Sequence, residues 1–310
     1  MPQPYDGKPS RLRIAAHLGV KDEIDLVEKT IAHLRAIGVD LIIAVDSYST
    51  DGTADVLDAY RSDDFWFIQM SDLEPDGPDK AWLRKNLELV QKADADWVIF
   101  LDADEYWIPA SGSLRDCSAL TNSDLLSVDR FNIVLGAHGP MVPVELIPER
   151  YEELLLFVEP IPDFRTHLQA NPDTPWIRGV PVPKVMVRPQ LICAISDGMH
   201  DAVAAPDVAL RRRKPSDLLI THLPFTTRAR FRRKVDNVRN VIAAHDEYFG
   251  KHLAWHWRNW LALAEQGRID EEFDRQRLSV EAIAEFRVSG VIRSAAEVFA
   301  ERSREGGAGA

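Results

Sequence analysis

The chain has little cysteine, no long apolar run and no glycine-rich loop, and each absence closes off a class of protein. Its two cysteines, Cys117 and Cys193, stand far apart in 310 residues and have no partners at metal-site spacing. A disulfide framework is therefore not expected, both thiols are read as core residues, and a reduced cytosolic setting fits. No run approaches the roughly 20 apolar residues that span a bilayer. The polar start, Met1 to Asp6, lacks the apolar segment of a signal peptide. The expectation is a cytoplasmic protein without a transmembrane segment, with peripheral attachment to the inner membrane face left open. Positive charge is also scarce: 37 Lys and Arg stand against 49 Asp and Glu, a formal net charge of −12. That balance argues against general nucleic-acid binding, but not against a small anionic ligand held by a local cation or a few arginines. Gly19 alone follows the first expected strand, so the glycine-rich phosphate loop that a nucleotidyltransferase would want is missing.

What is present starts with a core: 45% of the residues are hydrophobic and 28% charged, an ordinary globular balance. One stretch organises the rest, the run from Trp97 to Trp107, apolar at first and then carrying Asp102, Asp104 and Glu105. An apolar run of that length predicts a strand buried on both faces, as in a parallel sheet. Open α/β sheets bind ligands beyond the carboxyl ends of their strands, and the acids lie at that end. Asp102 and Asp104 are two positions apart, so in a strand or tight turn they can point the same way. Two unpaired carboxylates on one side repel, and a divalent cation removes that penalty, with Mg²⁺ or Mn²⁺ suited to hard oxygen ligands.

Upstream, residues 11–18 read as a first strand. Ile24, Val27, Ile31, Leu34 and Ile37 recur at helical spacing over 22–37, and Gly38 is a C-terminal stop. Residues 39–45 predict a second strand, followed by the polar turn 46–53 and a helix over about 54–60. A third strand over 65–70, an irregular loop over 71–79 and a helix over 80–93 lead to the central strand. The alternation predicts an α/β layered fold.

With these pieces in place, the segment from about Ile14 to Trp107 resembles the nucleotide-binding half of family 2-type glycosyltransferases with a GT-A fold. The matching pieces are Lys21-Asp22-Glu23, the turn from Asp46 through Ser49 and Asp51 to Thr53, and the Asp102-Ala103-Asp104 motif. The first has Asp22 where the family usually has Asn, and the second carries Ser47-Tyr48 where small or polar residues are common. Residues 184–189, Gly198 to His200 and His222 to Lys234 are similar to the C-terminal part of the same group. The resemblance thus covers about 14–240, with gaps around 110–180.

The resemblance implies a GT-A-like mixed sheet flanked by helices, with a helical C-terminal extension. It places Asp46 near the base or ribose, Asp102 at the donor ribose or a metal-bound water, and Asp104 on Mn²⁺ or Mg²⁺. Either His200 or His222 would complete the metal shell. The expected donor-binding set is His17, Lys21, Glu23, Asp46, Ser49, Asp51, Lys80, Arg84, Asp102, Arg228 and Lys234. Asp197, Glu159 and Asp163 are candidate bases, and spacing selects none of them. The aromatic stretch 252–260 is read as core packing before a dimer surface or a sugar subsite. The expected division is a catalytic domain over 1–225 (nucleotide-sugar half about 11–108, acceptor half about 109–225), a helical extension over 226–303 and a flexible tail over 304–310. The expected function is metal-dependent, inverting transfer of a sugar from a nucleoside-diphosphate sugar to an acceptor hydroxyl on a glycan, lipid-linked or small-molecule acceptor. Homo-oligomer formation is left open. A nucleotidyltransferase and a non-catalytic nucleotide- or sugar-binding module with a degenerate site are the rival readings.

Overall fold

The computed structural model describes residues 11–72, 81–159, 161–179, 181–249 and 255–307. Its first half follows the sequence pattern closely. Strand β1 (Ile14–Val20) leads to α1 (Val27–Ala36), β2 (Leu41–Asp46), α2 (Thr53–Ala59) and β3 (Phe65–Gln69). Then come α3 (Ala81–Lys92) and β4 (Trp97–Asp102). β1 pairs in parallel with β2 on one side and β4 on the other, and β3 pairs in parallel with β2. These strands are mostly apolar because helices cover both faces, and Ile14, Leu18, Ile43, Ile99 and Phe100 are all inaccessible to solvent.

α1 starts five residues later than the expected helix. Asp22 sits at φ 52°, in the left-handed region, and its carboxylate takes the Thr50 N–H, so the chain there is tied to the turn after β2 instead of coiling. The end of α1 is as expected. Gly38 at φ +92° donates to Arg35 O at 3.1 Å and Val39 N–H donates to Leu34 O at 3.0 Å, a Schellman arrangement that satisfies two terminal carbonyls.

Beyond β4 the chain turns at once into β5 (Glu105–Pro109). The single strand expected over 125–134 divides into β6 (Leu125–Val128) and β7 (Arg130–Asn132), because the chain leaves one sheet for another at Asp129. A two-residue hairpin, β8 (Leu135–Gly136) with β9 (Gly139–Pro140), and β10 (Leu155–Phe157) follow. After α4 (Phe164–Ala170) come β11 (Lys184–Val187), the hairpin β12 (Ile192–Ile195) with β13 (Ala202–Ala204), then β14 (Arg212–Arg213) and β15 (Leu218–His222). The chain finishes with α5 (Arg228–Phe249), α6 (Trp255–Glu265), α7 (Ile269–Arg275), α8 (Val280–Val288), β16 (Ile292–Ser294) and α9 (Ala295–Gly307). α9 runs on past Arg304, into the span read as a tail, because Ala295, Val298 and Phe299 are buried against Tyr151 and Leu154.

The main sheet is mixed, in the order β14-β6-β11-β4-β1-β2-β3. β11 lies antiparallel to both β4 and β6. A second sheet, β5-β15-β7, continues from the end of β4. α5 to α8 close over a separate apolar cluster containing Phe225, Phe231, Trp260 and Phe273. Cys117 is buried as expected, whereas Cys193 on β12 is exposed, which corrects its reading as a core residue. No described helix is long and apolar enough to cross a membrane.

Candidate active site

The sheet order places the site. The chain runs outward from β1 to β2 and β3, then returns to lay β4 on the other side of β1. This reversal leaves a crevice at the carboxyl ends of β1 and β4, where Gly19 lies opposite Asp102. A cavity of about 850 Å³ opens there. One end is charged, with Lys21, Glu23, Asp102, Asp104, Arg130 and Lys234, and the other is aromatic, with Trp176, Trp255, His256, Trp257 and Trp260.

Asp102 ends β4 and stays accessible. Its Oδ2 accepts from Lys184 Nζ at 3.0 Å, and its side chain is 59% exposed. Lys184 rises from the buried face of β11 and also donates to Gly198 O at 3.0 Å. Beneath it, buried Glu105 pairs with Arg130 and accepts the Asp102 N–H at 3.1 Å. Burial works against ionisation of Asp102, and Lys184 nevertheless holds the carboxyl below its ordinary range.

Asp104 is buried, and three nitrogens converge on its Oδ2. Arg230 Nη2 donates at 2.9 Å, Lys234 Nζ donates from one turn further along α5, and His222 Nε2 lies 3.7 Å away. Burial opposes its charge, but the cations beside it, Lys234 foremost and Arg230 with it, hold the carboxyl well below its ordinary value. Arg230 is 1% exposed. It grips Glu23 through two bonds of 2.7 Å and donates to Leu223 O at 3.0 Å. Glu23, Asp102, Asp104 and Glu105 are thus balanced by Arg130, Lys184, Arg230 and Lys234.

The tautomer of His222 follows from its neighbour. Asn132 Nδ2 donates to Ile177 O at 2.9 Å and to Gly179 O at 2.8 Å, which leaves Oδ1 as the atom facing His222 Nδ1 at 2.8 Å. Nδ1 therefore carries the proton, and Nε2 presents a lone pair on the side of Asp104. Burial pushes the imidazole below its ordinary value despite the Asp104 charge. His200 is turned differently. Its Nδ1 donates to Pro183 O at 2.9 Å, and it lines the cavity without a bond to Asp104. Of the two histidines weighed for the metal shell, His222 lies beside Asp104 and His200 stands apart.

The turns after β1 and β2 are laced together. Lys21 Nζ donates to Tyr48 O, Asp22 N–H donates to Ser49 Oγ at 2.8 Å, and Asp22 and Tyr48 both have positive φ. The two departures from the family pattern thus face each other across one clamp. Ser49 and Asp51 serve it too: Ser49 N–H donates to Asp46 Oδ2 at 3.0 Å, and Asp51 Oδ1 accepts from Thr53 N–H at 3.0 Å. Neither lines the cavity, which corrects their place in the expected donor set; Ser47 does line it. Asp46 is buried with one carboxylate oxygen unpaired. His17, in the cavity wall, contacts Asn86 Oδ1 at 2.8 Å.

Other expectations fall away from the cavity. Arg84 is exposed on the outer side of α3, and Arg228 is drawn off by Asp274. Lys80 lies outside the described residues. Glu159 is exposed away from the cavity, and Asp163 is the N-cap of α4, accepting the Thr166 N–H at 3.4 Å. Asp197 has a described backbone, and the residues after it, Gly198 to His200, line the cavity. Sequence reading missed Arg130, Asn132, Lys184 and Arg230. Two signals were present: a lysine opening the apolar strand Lys-Val-Met-Val, and Arg230 one helical turn before Lys234, on the same face.

Comparison with known proteins bears on the same segment. No curated protein matches the chain. Among solved structures, glucosyl-3-phosphoglycerate synthase from Mycobacterium tuberculosis, in complex with Mn²⁺, UDP and glucosyl-3-phosphoglycerate, aligns at 18% identity and TM-score 0.32, over 58% of each chain. S. aureus TarS 1-349, in complex with UDP-GlcNAc, aligns at 17% identity and TM-score 0.33, over 66% of this chain and 58% of that one. The chain therefore spans less than two thirds of either relative. The family model for glycosyl transferase family 2 matches residues 19–111, the stretch that holds both laced turns, β4, Asp102 and Asp104. By that match, the segment from the end of β1 through β5 is similar to glycosyl transferase family 2.

Proposed function

We propose that the protein transfers a sugar from a nucleoside-diphosphate sugar to an acceptor hydroxyl, with inversion. The observation that carries this reading is the placement of Asp102 and Asp104 at the carboxyl end of β4, beside the β1 reversal, at the charged end of the cavity. The nucleoside would lie against the β1 and β2 turns, where Lys21 and Ser47 line the cavity. Trp176, Trp255 and Trp257 line the cavity, and the acceptor would lie against them.

The residues fit the expected divalent cation, Mn²⁺ or Mg²⁺. A buried carboxylate and an imidazole with its lone pair on the same side form a hard-oxygen and nitrogen donor pair. Among the described residues no group of three or more His, Cys, Asp or Glu could hold a metal, so Asp104 and His222 are the protein's share. When bound, the metal would act as a Lewis acid for the departing diphosphate. Asn132 holds the His222 tautomer that such a ligand needs. Lys184 orients Asp102 over the cavity, and Arg230 fixes Asp104 against Glu23. Of the three carboxylates expected as base, Asp197 is favoured, because its immediate neighbours line the cavity.

The test is a turnover assay with a panel of nucleoside-diphosphate sugars. Release of the nucleoside diphosphate is expected, with Asp104→Asn lowering it by about two orders of magnitude. Release of sugar 1-phosphate instead would mark nucleotidyl transfer, and binding without turnover a non-catalytic module.

A further inference from the structure

The crowding at Asp104 poses a problem for a cation that must bind the same carboxylate. Its Oδ2 already meets Arg230 and Lys234, with His222 Nε2 at 3.7 Å. The surrounding acids and bases balance, so a bare divalent ion would meet a neutral cluster with two positive groups on its ligand atom. Repulsion between the ion and these groups favours one of them giving way. Arg230 is not free to do so. It is 1% exposed and held by Glu23 on two atoms and by the carbonyls of Leu223 and Pro224.

Lys234 is differently placed. Its side chain is 26% exposed, it lines the cavity, and Asp104 is its one hydrogen-bond acceptor among the described residues. Lysine is a compact charge on a flexible stem, so it can exchange partners without the planar fit that a guanidinium demands. A nucleoside diphosphate entering the cavity brings negative charge to the side on which Lys234 is exposed.

We propose that Lys234 is an exchangeable counter-ion of Asp104. It neutralises the buried carboxylate while the cavity is empty, and it passes to the diphosphate when donor and metal enter together. This inference rests on the donor-site reading above. Its consequence is that metal binds poorly alone and well with nucleotide, because the nucleotide removes the competing ammonium from Asp104. No bond is made or broken in the exchange.

The experiment is a Mn²⁺ titration followed by electron paramagnetic resonance, on wild type, Lys234→Met, Lys234→Arg and Asp104→Asn, with and without UDP or GDP. Thermal melts of each protein establish that the variants are folded. Without nucleotide, Lys234→Met is expected to bind Mn²⁺ at least about tenfold more tightly than wild type, because a unit charge close to the ion has gone. Lys234→Arg keeps the charge and should bind as weakly as wild type, and Asp104→Asn should lose the ion. The gain that nucleotide gives to Mn²⁺ binding should shrink in Lys234→Met. If Asp104→Asn loses Mn²⁺ but Lys234→Met binds it no better than wild type, the exchange is overturned and the donor-site reading stands. If Mn²⁺ binds none of the proteins, with either nucleotide, the donor-site reading falls and the exchange with it.

Discussion

At the scale of single residues the site is a problem in buried charge. Desolvating a carboxylate is costly unless a partner returns the lost interaction, and every acid beneath the cavity has one. Arg230 carries the largest share, since it serves Glu23, Asp104 and two carbonyls at once. Arg230→Met would leave buried Glu23 without its bidentate partner and buried Asp104 with one cation fewer. The expected loss is about 3–5 kcal/mol of folding stability, read as a lower midpoint in urea unfolding at pH 7. A midpoint within experimental error of wild type would show that the network contributes little. Asp104 and Asp102 were legible from sequence because their spacing is local and follows an apolar run. Arg230 was not, because its partner Glu23 lies 207 positions away, and no periodicity encodes a pairing at that range.

At the scale of elements, the turns matter more than the strands. The strands of the first half follow from their apolar runs, and their ends match the expected boundaries within three residues. The turn after β1 departs from the expected helix because the Asp22 carboxylate is committed to Thr50, a contact between two loops that a helical pattern cannot show. The end of α1 is a simpler case. Gly38 holds φ +92°, and a Cβ there would meet Arg115 Nη1 at 2.3 Å. That arginine cannot swing away cheaply, since it pairs with Asp40 and donates to Leu12 O at 3.2 Å. Gly38→Ala is therefore expected to cost about 1–2 kcal/mol, measurable by chemical denaturation. An unchanged midpoint would mean that the backbone can leave the left-handed region without loss.

At the scale of the molecule, long-range ion pairs hold the sheet edge and set its response to acid. β14, the edge strand, is anchored just before it starts by Arg211, whose side chain grips Asp124 at 2.8 and 2.7 Å, with its N–H at 3.0 Å. The hydrogen bonds from Arg211 lower the Asp124 carboxyl from 3.8 to about 2. A carboxyl depressed by folding binds more protons when unfolded, so its contribution is present above the unfolded value and lost as pH falls through the folded one. Asp124→Asn should therefore be less stable than wild type at neutral pH, with the gap closing between about pH 4 and pH 2. Thermal melts across that range check it, and a gap that persists to pH 2 would refute the assignment.

The sequence by itself determined the parallel strands, the α/β layering and the acids at the end of β4, because each depends on neighbours a few positions away. It also determined where to look, since a buried strand that ends in carboxylates leaves them at the sheet's binding edge. Only the tertiary structure decided which residues meet those acids. Lys184, His222, Arg230 and Lys234 come from β11, β15 and α5, brought to β4 by sheet order and by the helices that close over it. The physical reason is range: a strand is read from local hydrophobicity, whereas the charge balance of a buried site is settled by side chains that only folding brings together.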